Sequence, residues 1–288
     1  MLPDFSQPSF DDLGLLPIYD KVKAGERLSY EDGLTLFRSP DLLAIGHMAN
    51  IVRERLHGNV TYFNVNRHIN PTDVCVASCK LCAFGKKAKD PNAYTMSLED
   101  RSGRVPDTAS AKPSPSSISS ADSTPNSPST GSARCCAASR SAIPQVHLKA
   151  FTMVEIAYFH KRFKIPIEEV LRRFKEAGMD SMPGGGAEIF CERVRRIICD
   201  HKIDGGEWLE IARLAHKMGV KSNCTMLYGH IETEEDRVDH LVRLRASRTT
   251  PAASSPSFLW PSIPTTRRSS TSPKPPASTT SRTLPSPA

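Results

Sequence analysis

Apolar residues recur at helical spacing through the first sixty positions. Leu42, Leu43, Ile45, Met48, Ala49, Val52 and Leu56 mark an amphipathic helix that opens at Ser39-Pro40, a cap residue followed by proline, and stops at Gly58. Ahead of it, Ser29 and Asp32 stand at capping-box spacing. The period then changes to two. Phe63, Val65 and Ile69 alternate with Asn64, Asn66, His68 and Asn70, which predicts a strand with an apolar face toward helices and an opposite face of amides and imidazole. From residue 145 onward, strand-like and helix-like runs take turns. Residues 145–152 read as a strand followed by the run 154–160, then a helix from Pro166 through Phe174 to Gly178, a helix over about 207–218 stopped by Gly219, and a strand over 220–228. Thr233 with Asp236 forms a second capping box before a helix carrying Val238, Leu241 and Val242. Strands alternating with helices of this length predict βα units and a parallel sheet.

Two stretches break the pattern. Ser, Thr and Pro fill two thirds of 247–288, which has no Asp, Glu or Gly, and 101–143 has the same texture, with Cys135 and Cys136 side by side in it. Neither shows an apolar period, and neither is expected to bury enough surface to offset the entropy of ordering it. The chain therefore divides into an N-terminal helical segment (1–58), a core (59–246) interrupted by 101–143, and a disordered tail (247–288). The abrupt boundaries suit a reading frame lost near residue 101, regained near 144 and lost again near 247 in a GC-rich gene. Translating the DNA in the other frames tests that idea. Charge follows the same division. The formal net charge is +7, but the two biased stretches carry that excess and the remainder is close to neutral, so a specific nucleic-acid face on the folded part is not expected.

The chemistry concentrates in one loop. Cys75, Cys79 and Cys82 stand at C-x3-C-x2-C spacing, and three thiolates on so short a stretch can close on a soft metal centre. A closed zinc site takes four ligands, commonly as two C-x2-C pairs, and no fourth Cys or His lies at knuckle spacing. A cubane cluster held by three cysteines keeps one iron without a protein ligand, open to chemistry. Cys191, Cys199 and Cys224 fall in apparently packed elements and read as small buried hydrophobes. There is no signal-peptide pattern at the start and no run of 18 apolar residues, so a reducing cytoplasm and no membrane partner are expected.

The cysteine loop, its continuation Ala83-Phe84-Gly85-Lys86-Lys87, the preceding 63–70 and the following 93–98 closely resemble the aminofutalosine synthase family of radical S-adenosylmethionine (SAM) enzymes. So do Lys149-Ala-Phe-Thr-Met-Val-Glu-Ile-Ala-Tyr-Phe-His160 and Asp180-Ser-Met-Pro-Gly-Gly-Gly-Ala-Glu188; the likeness covers about 1–100 and 145–246. The resemblance implies an α/β fold, a partial (β/α) TIM-like barrel with the cluster loop after the first strand at the C-terminal face. Without a second βα unit, that barrel is expected to leave an unpaired edge before the strand at 145–152.

By the same resemblance, Cys75, Cys79 and Cys82 would ligate a [4Fe–4S] cluster whose fourth iron binds SAM. SAM is consumed as the source of a 5′-deoxyadenosyl radical that adds to 3-[(1-carboxyvinyl)oxy]benzoate, giving 6-amino-6-deoxyfutalosine for menaquinone. A small-molecule substrate and an electron donor such as flavodoxin or ferredoxin are the implied partners. Phe84 would pack on the adenine or in the core. Gly184, Gly185 and Gly186 would give close approach to SAM or form a tight turn. Glu188 would bind the ribose hydroxyls or sit exposed at a helix start. Asn66, His68 and Asn70 are candidates for the substrate's polar groups, with His68 also the catalytic candidate or else a structural histidine, while alternation turns Arg67 away. Dehypoxanthine futalosine cyclase and the deazaflavin (FO) synthase subunits share the motif and remain alternatives, and a non-catalytic metal-binding remnant is the alternative of another class.

Overall fold

A computed structural model describes residues 9–61, 67–97, 117–120, 136–137, 139–141, 144 and 146–248. A 3-10 turn at Leu13–Leu15 leads into α1 (Leu16–Ala24), α2 (Tyr30–Arg38) and α3 (Leu42–His57). The strands are β1 (Arg67–Ile69), β2 (Ser117–Ser120), β3 (His147–Ala150), β4 (Ser181–Met182) and β5 (Lys221–Ser222), interleaved after β3 with α4 (Met153–Phe163), α5 (Ile167–Glu176), α6 (Glu192–Ile198), α7 (Gly205–Lys217) and α8 (Glu234–Arg248). All the strands pair in parallel in sequence order, so every C-terminal strand end lies along one edge.

Alternation along the short strands gives the sheet two unlike faces. On one, Ala150 and Met182 meet Ile156, Phe159, Val170, Leu171, Phe174, Trp208 and Ile211 from α4, α5 and α7 in the main core. Phe151, Phe159 and Phe174 pack ring to ring with centroids 4.2–5.7 Å apart. On the other, the register places His68, Ser119, Lys149, Ser181 and Lys221 in one row. The sequence rhythm that predicts an apolar outer face and a polar inner one at β1 is met as far as it is described. Ile69 is buried with Val146 and Leu148, and His68 is exposed.

Three expectations need correction. The slot between the cysteine-bearing strand and β3 is filled: β2 comes from inside the Ser/Pro-rich stretch and pairs on both sides. Two parallel neighbours left a strand's width apart offer hydrogen bonds to any four residues that can extend, whatever their composition. The same stretch also contributes burial, since Cys136 joins the main core. Arg140 donates to the carbonyls of Val146 (2.9 Å) and Gly178 (2.9 Å) and pairs with Asp180, fastening this segment beside β3. Finally, α3 starts two residues late, with Asp41 rather than Ser39 as its cap (Ala44 N to Asp41 Oδ1, 3.0 Å), and buries only Ala44 and Met48 against Leu15, Ile18 and Val22. Leu42, Leu43 and Leu56 are exposed, Leu43 by 87%.

Both capping boxes form as read, at Ser29/Asp32 and at Thr233/Asp236. The N-terminal helices are fastened to α8. Arg245 donates to the Leu28 carbonyl (2.6 Å), Arg38 pairs with Glu235, and a Cβ on Gly33 would come within 2.9 Å of Val238 Cγ1. On its inward side α8 carries His240, fully buried, stacked on Phe190 at 4.1 Å and donating from Nε2 to the Thr225 carbonyl at 3.1 Å. Its Nδ1 has no partner among the described residues.

Burial pushes the His240 imidazole down to about 4 from an ordinary 6.5, so the folded chain holds it neutral. The unfolded chain takes up that proton near pH 6.5. Stability from this group is therefore complete above pH 6.5 and lost as pH falls toward 4. Between pH 7 and pH 5 the expected loss is about 2 kcal/mol. Urea unfolding at the two pH values measures it, and His240→Phe, which keeps a ring over Phe190, should flatten that part of the profile.

Candidate active site

The cysteine loop leaves the C-terminal end of β1 and is stitched into a compact unit by its own backbone. Cys75 N donates to Lys86 O (2.8 Å), Lys86 N to Asp73 O (2.7 Å), and Met96 N to Pro71 O (2.7 Å). Asp73 is the hub of this stitching. Its buried carboxylate accepts from Tyr94 N (2.7 Å) and pairs with Lys86 Nζ (2.8 Å). Burial alone would raise that carboxyl, but the bonds from Lys86 and Tyr94 outweigh it and hold it below the usual range. Lys86, quoted above only as part of the family run, is thus the loop's internal counter-ion.

Within this frame Cys75 and Cys82 approach from two sides of Gly85. A Cβ there would lie 3.1 Å from Cys75 Cβ, 3.6 Å from Cys82 Sγ and 3.9 Å from Cys75 Sγ, and the Gly85 N–H donates to Cys82 Sγ at 3.3 Å. Position 85 is therefore a cradle that any side chain would fill, directly between two thiols. Among the described residues no three His, Cys, Asp or Glu side chains converge closely enough to hold one metal ion. Three thiols on one loop, with a bare glycine between two of them, are a donor set that fits an iron–sulfur cluster.

The third thiol faces a different neighbourhood. Cys79 packs beside Ile198 and Cys199 at the end of α6, and Lys80 N donates to Ile198 O (3.0 Å). Burial pushes the Cys79 thiol up, opposed by the Lys202 ammonium beside it. Lys202 in turn pairs with Glu188 at 2.6 Å, both side chains largely buried. Glu188 is accordingly neither an exposed helix-start carboxylate nor a free one: α6 begins only at Glu192, and an ammonium already holds Oε1.

The glycine run after β4 is shaped by the chain's own packing. A Cβ on Gly184 would meet Asn223 O and Cys224 Cα at 2.5 Å, and one on Gly186, at φ +85°, would meet Val154 Cγ2 at 2.2 Å. Gly184 N donates to Asn223 Oδ1 (3.1 Å), Thr225 Oγ1 to Gly184 O (2.8 Å), and Trp208 Nε1 to Gly185 O (3.3 Å). Arg195, buried on α6, clamps the run by donating to Gly186 O (3.2 Å), Ala187 O (2.7 Å), Ile189 O (3.2 Å) and Ile203 O. Lys202 and Arg195 are absent from the candidates read off the chain. The only trace of α6 in the sequence is the Glu192/Arg196 pair at helical spacing.

Phe84 is 47% exposed, which removes the core-packing reading and leaves its ring on the surface of the cysteine loop. His68 and Asn70 lie at the end of β1, the first exposed and the second half-buried, and Tyr94 Oη donates to Asn70 O (3.1 Å). Asn66 lies outside the described residues, and Arg67 is placed only as the first residue of β1. Cys199 and Cys224 are buried as expected, the latter pushed up to about 12 by burial, and Cys191 is half-buried. Every described cysteine is a free thiol.

Comparison with known proteins matches this arrangement. The model of the radical SAM superfamily matches residues 69–244, from the last residue of β1 into α8. Aminodeoxyfutalosine synthases of Thermus thermophilus and Streptomyces coelicolor are each 43% identical, over 80% and 78% of this chain and 62% and 58% of their own. The chain thus spans about six-tenths of the length of these relatives. The crystal structure of methylornithine synthase superposes with a TM-score of 0.62 at 16% identity, covering 80% of this chain and 64% of that one, a likeness of fold. With its three-cysteine loop at the end of the first strand of a parallel sheet, the chain belongs to the radical SAM superfamily.

Proposed function

We propose that the chain acts as a radical SAM transferase that adds the 5′-deoxyadenosyl radical to 3-[(1-carboxyvinyl)oxy]benzoate, forming 6-amino-6-deoxyfutalosine. The observation that carries this reading is the cysteine loop built around Gly85, together with 43% identity to two aminodeoxyfutalosine synthases over most of the chain. Cys75, Cys79 and Cys82 would hold a [4Fe–4S] cluster with one iron left for SAM, and the pair supplies one-electron cleavage of the SAM sulfonium bond.

The chain's own residues do the positioning. Asp73 and Lys86 brace the cysteine loop from below, and the Lys80–Ile198 backbone bond seats it on α6. Phe84 offers a ring at the loop surface for a nucleobase. The run 184–188 faces the same strand-end edge, held rigid by Arg195, Trp208 and Thr225, which suits close backbone approach to SAM. Glu188 keeps its second carboxylate oxygen for a ribose hydroxyl. His68 and Asn70, at the end of β1, border the inner face on which the substrate would lie. Electrons would come from a low-potential carrier such as flavodoxin or ferredoxin. The free thiols suit a reducing cytoplasm, and no described helix is long and apolar enough to cross a membrane.

The test is anaerobic reconstitution with iron and sulfide, followed by incubation with SAM, a reductant and the enol ether. Adenosyl incorporation into product supports the assignment. Release of free 5′-deoxyadenosine without incorporation favours the cyclase or FO synthase type of chemistry. Failure of the wild-type chain to take up iron and sulfide, with Cys75→Ala no different, returns the chain to a non-catalytic remnant.

A further inference from the structure

Among the described residues the inner-face row carries two lysines, Lys221, which is exposed, and Lys149, which is half-buried. Lys149 is the third residue of β3, between Leu148 and Ala150, both buried, Leu148 with Ile69 and Val146 and Ala150 against the helices. Alternation turns Lys149 the other way, into the row shared with His68 and Ser181. Its neighbours leave the ammonium to itself. Ser181 Oγ is taken by His147 Nε2 at 2.7 Å, and no hydrogen-bond or ion-pair partner of Lys149 occurs among the described residues.

A lysine half-buried on a strand without a counter-ion is costly, because the ammonium loses water and gains nothing in return. Burial lowers its pKa, and no neighbouring carboxylate opposes the shift. Lys202 and Lys86, by contrast, each have a carboxylate within 3 Å. A cation kept in that condition on the inner face, one residue from the strand-end edge where the cysteine loop begins, is suited to an anion that arrives with the substrate.

We infer that Lys149 is the carboxylate-binding residue of the substrate pocket and selects for an aromatic acid lying across the inner face between β3 and β1. His68 stands in the same row two strands away, about 10 Å at ordinary strand spacing. That span suits a benzoate ring whose acid group meets Lys149 while its other substituent reaches the end of β1. This assignment rests on the function proposed above, since it names the group by which that site would recognise its substrate.

The test separates the two. Benzoate alone is titrated into the full cluster-free chain and followed by calorimetry or ligand-detected NMR, with Lys149→Met and Lys149→Arg alongside. Lys149→Met is expected to weaken benzoate at least tenfold, and Lys149→Arg to keep most of the affinity. Thermal unfolding should not fall in either variant, because no partner is lost. Equal benzoate affinity in wild type and Lys149→Met, or no benzoate binding by wild type, overturns the inference. In the reconstituted chain, Lys149→Met should raise KM for the enol ether while leaving KM for SAM unchanged, and an equal rise in both overturns it as well. If the chain fails to make the adenosylated product yet binds benzoate through Lys149, the proposed reaction falls and this inference stands.

Discussion

Lys202→Met is expected to destabilise the folded chain by roughly 3–5 kcal/mol, the range for breaking a buried ion pair on one side. The Lys202 ammonium lies among the Glu188 carboxylate and the Cys79 and Cys199 thiols. Burial alone would lower its pKa, yet these neighbours outweigh that and raise it, so the lysine is held as a cation. Methionine fills the same volume and removes the charge. Glu188 would then be a buried carboxylate without a counter-ion, on a backbone already at φ +44°. The lost charge also loosens the cysteine loop, because the ammonium stands beside the Cys79 thiol and the adjoining backbone bond to the loop is Lys80 N to Ile198 O.

Urea unfolding of the cluster-free chain gives the stability, and hydrogen exchange at the Lys80 amide gives the loop, expected to speed up about tenfold or more. The double variant Lys202→Met/Glu188→Gln should recover most of the loss, since replacing both partners removes the stranded charge. If the double variant is no more stable than the single one, charge balance is not what Lys202 provides.

That pair also marks the limit of what the chain discloses on inspection. The two capping boxes are local patterns and form as read, and the period-two alternation at 63–70 is met over Arg67–Ile69, the part of it that is described. Glu188 was visible as a candidate, but its partner lies fourteen residues away across α6, and nothing in either neighbourhood announces the meeting. Helix α6 itself is short, and Arg193, Arg195 and Arg196 interrupt its apolar side, so no helical stripe stands out. Local patterning also says too much at α3, where an apolar stripe reads as a buried face although only one side of it rests on α1. At 101–143 the composition argues against a core, yet it has no bearing on a few residues, and Cys136 is buried in the main core. Ser117–Ser120 become a strand because β1 and β3 leave a place for one. Lys149 was in view as part of a family-like run, and only the strand register shows which way it points.

Arg195→Met is expected to cost about 4 kcal/mol, and the loss should centre on the run 184–189. The guanidinium is 3% exposed, and its described bonds go to backbone carbonyls, of Gly186, Ala187, Ile189 and Ile203. No carboxylate takes part in this array. Each carbonyl left buried without a donor costs about 1–3 kcal/mol, reduced where the loop can relax toward water. Lysine is a poor replacement, because a single ammonium cannot reach four acceptors arranged around a planar fork, so Arg195→Lys should still lose more than half of the effect. Trp208 reports the change directly, since its Nε1 donates to the carbonyl of Gly185, next to the clamped Gly186. Urea unfolding followed by far-UV circular dichroism gives the global loss. Trp208 fluorescence in the native baseline should shift in Arg195→Met before any unfolding begins, as the loop around Gly185 opens. On the SAM-binding role proposed for 184–188, SAM affinity should also fall in molecules that remain folded, because that backbone is no longer held in one shape. A variant that loses less than 1 kcal/mol and keeps the wild-type fluorescence would mean that packing against Val154 and Asn223, not the guanidinium, fixes this run.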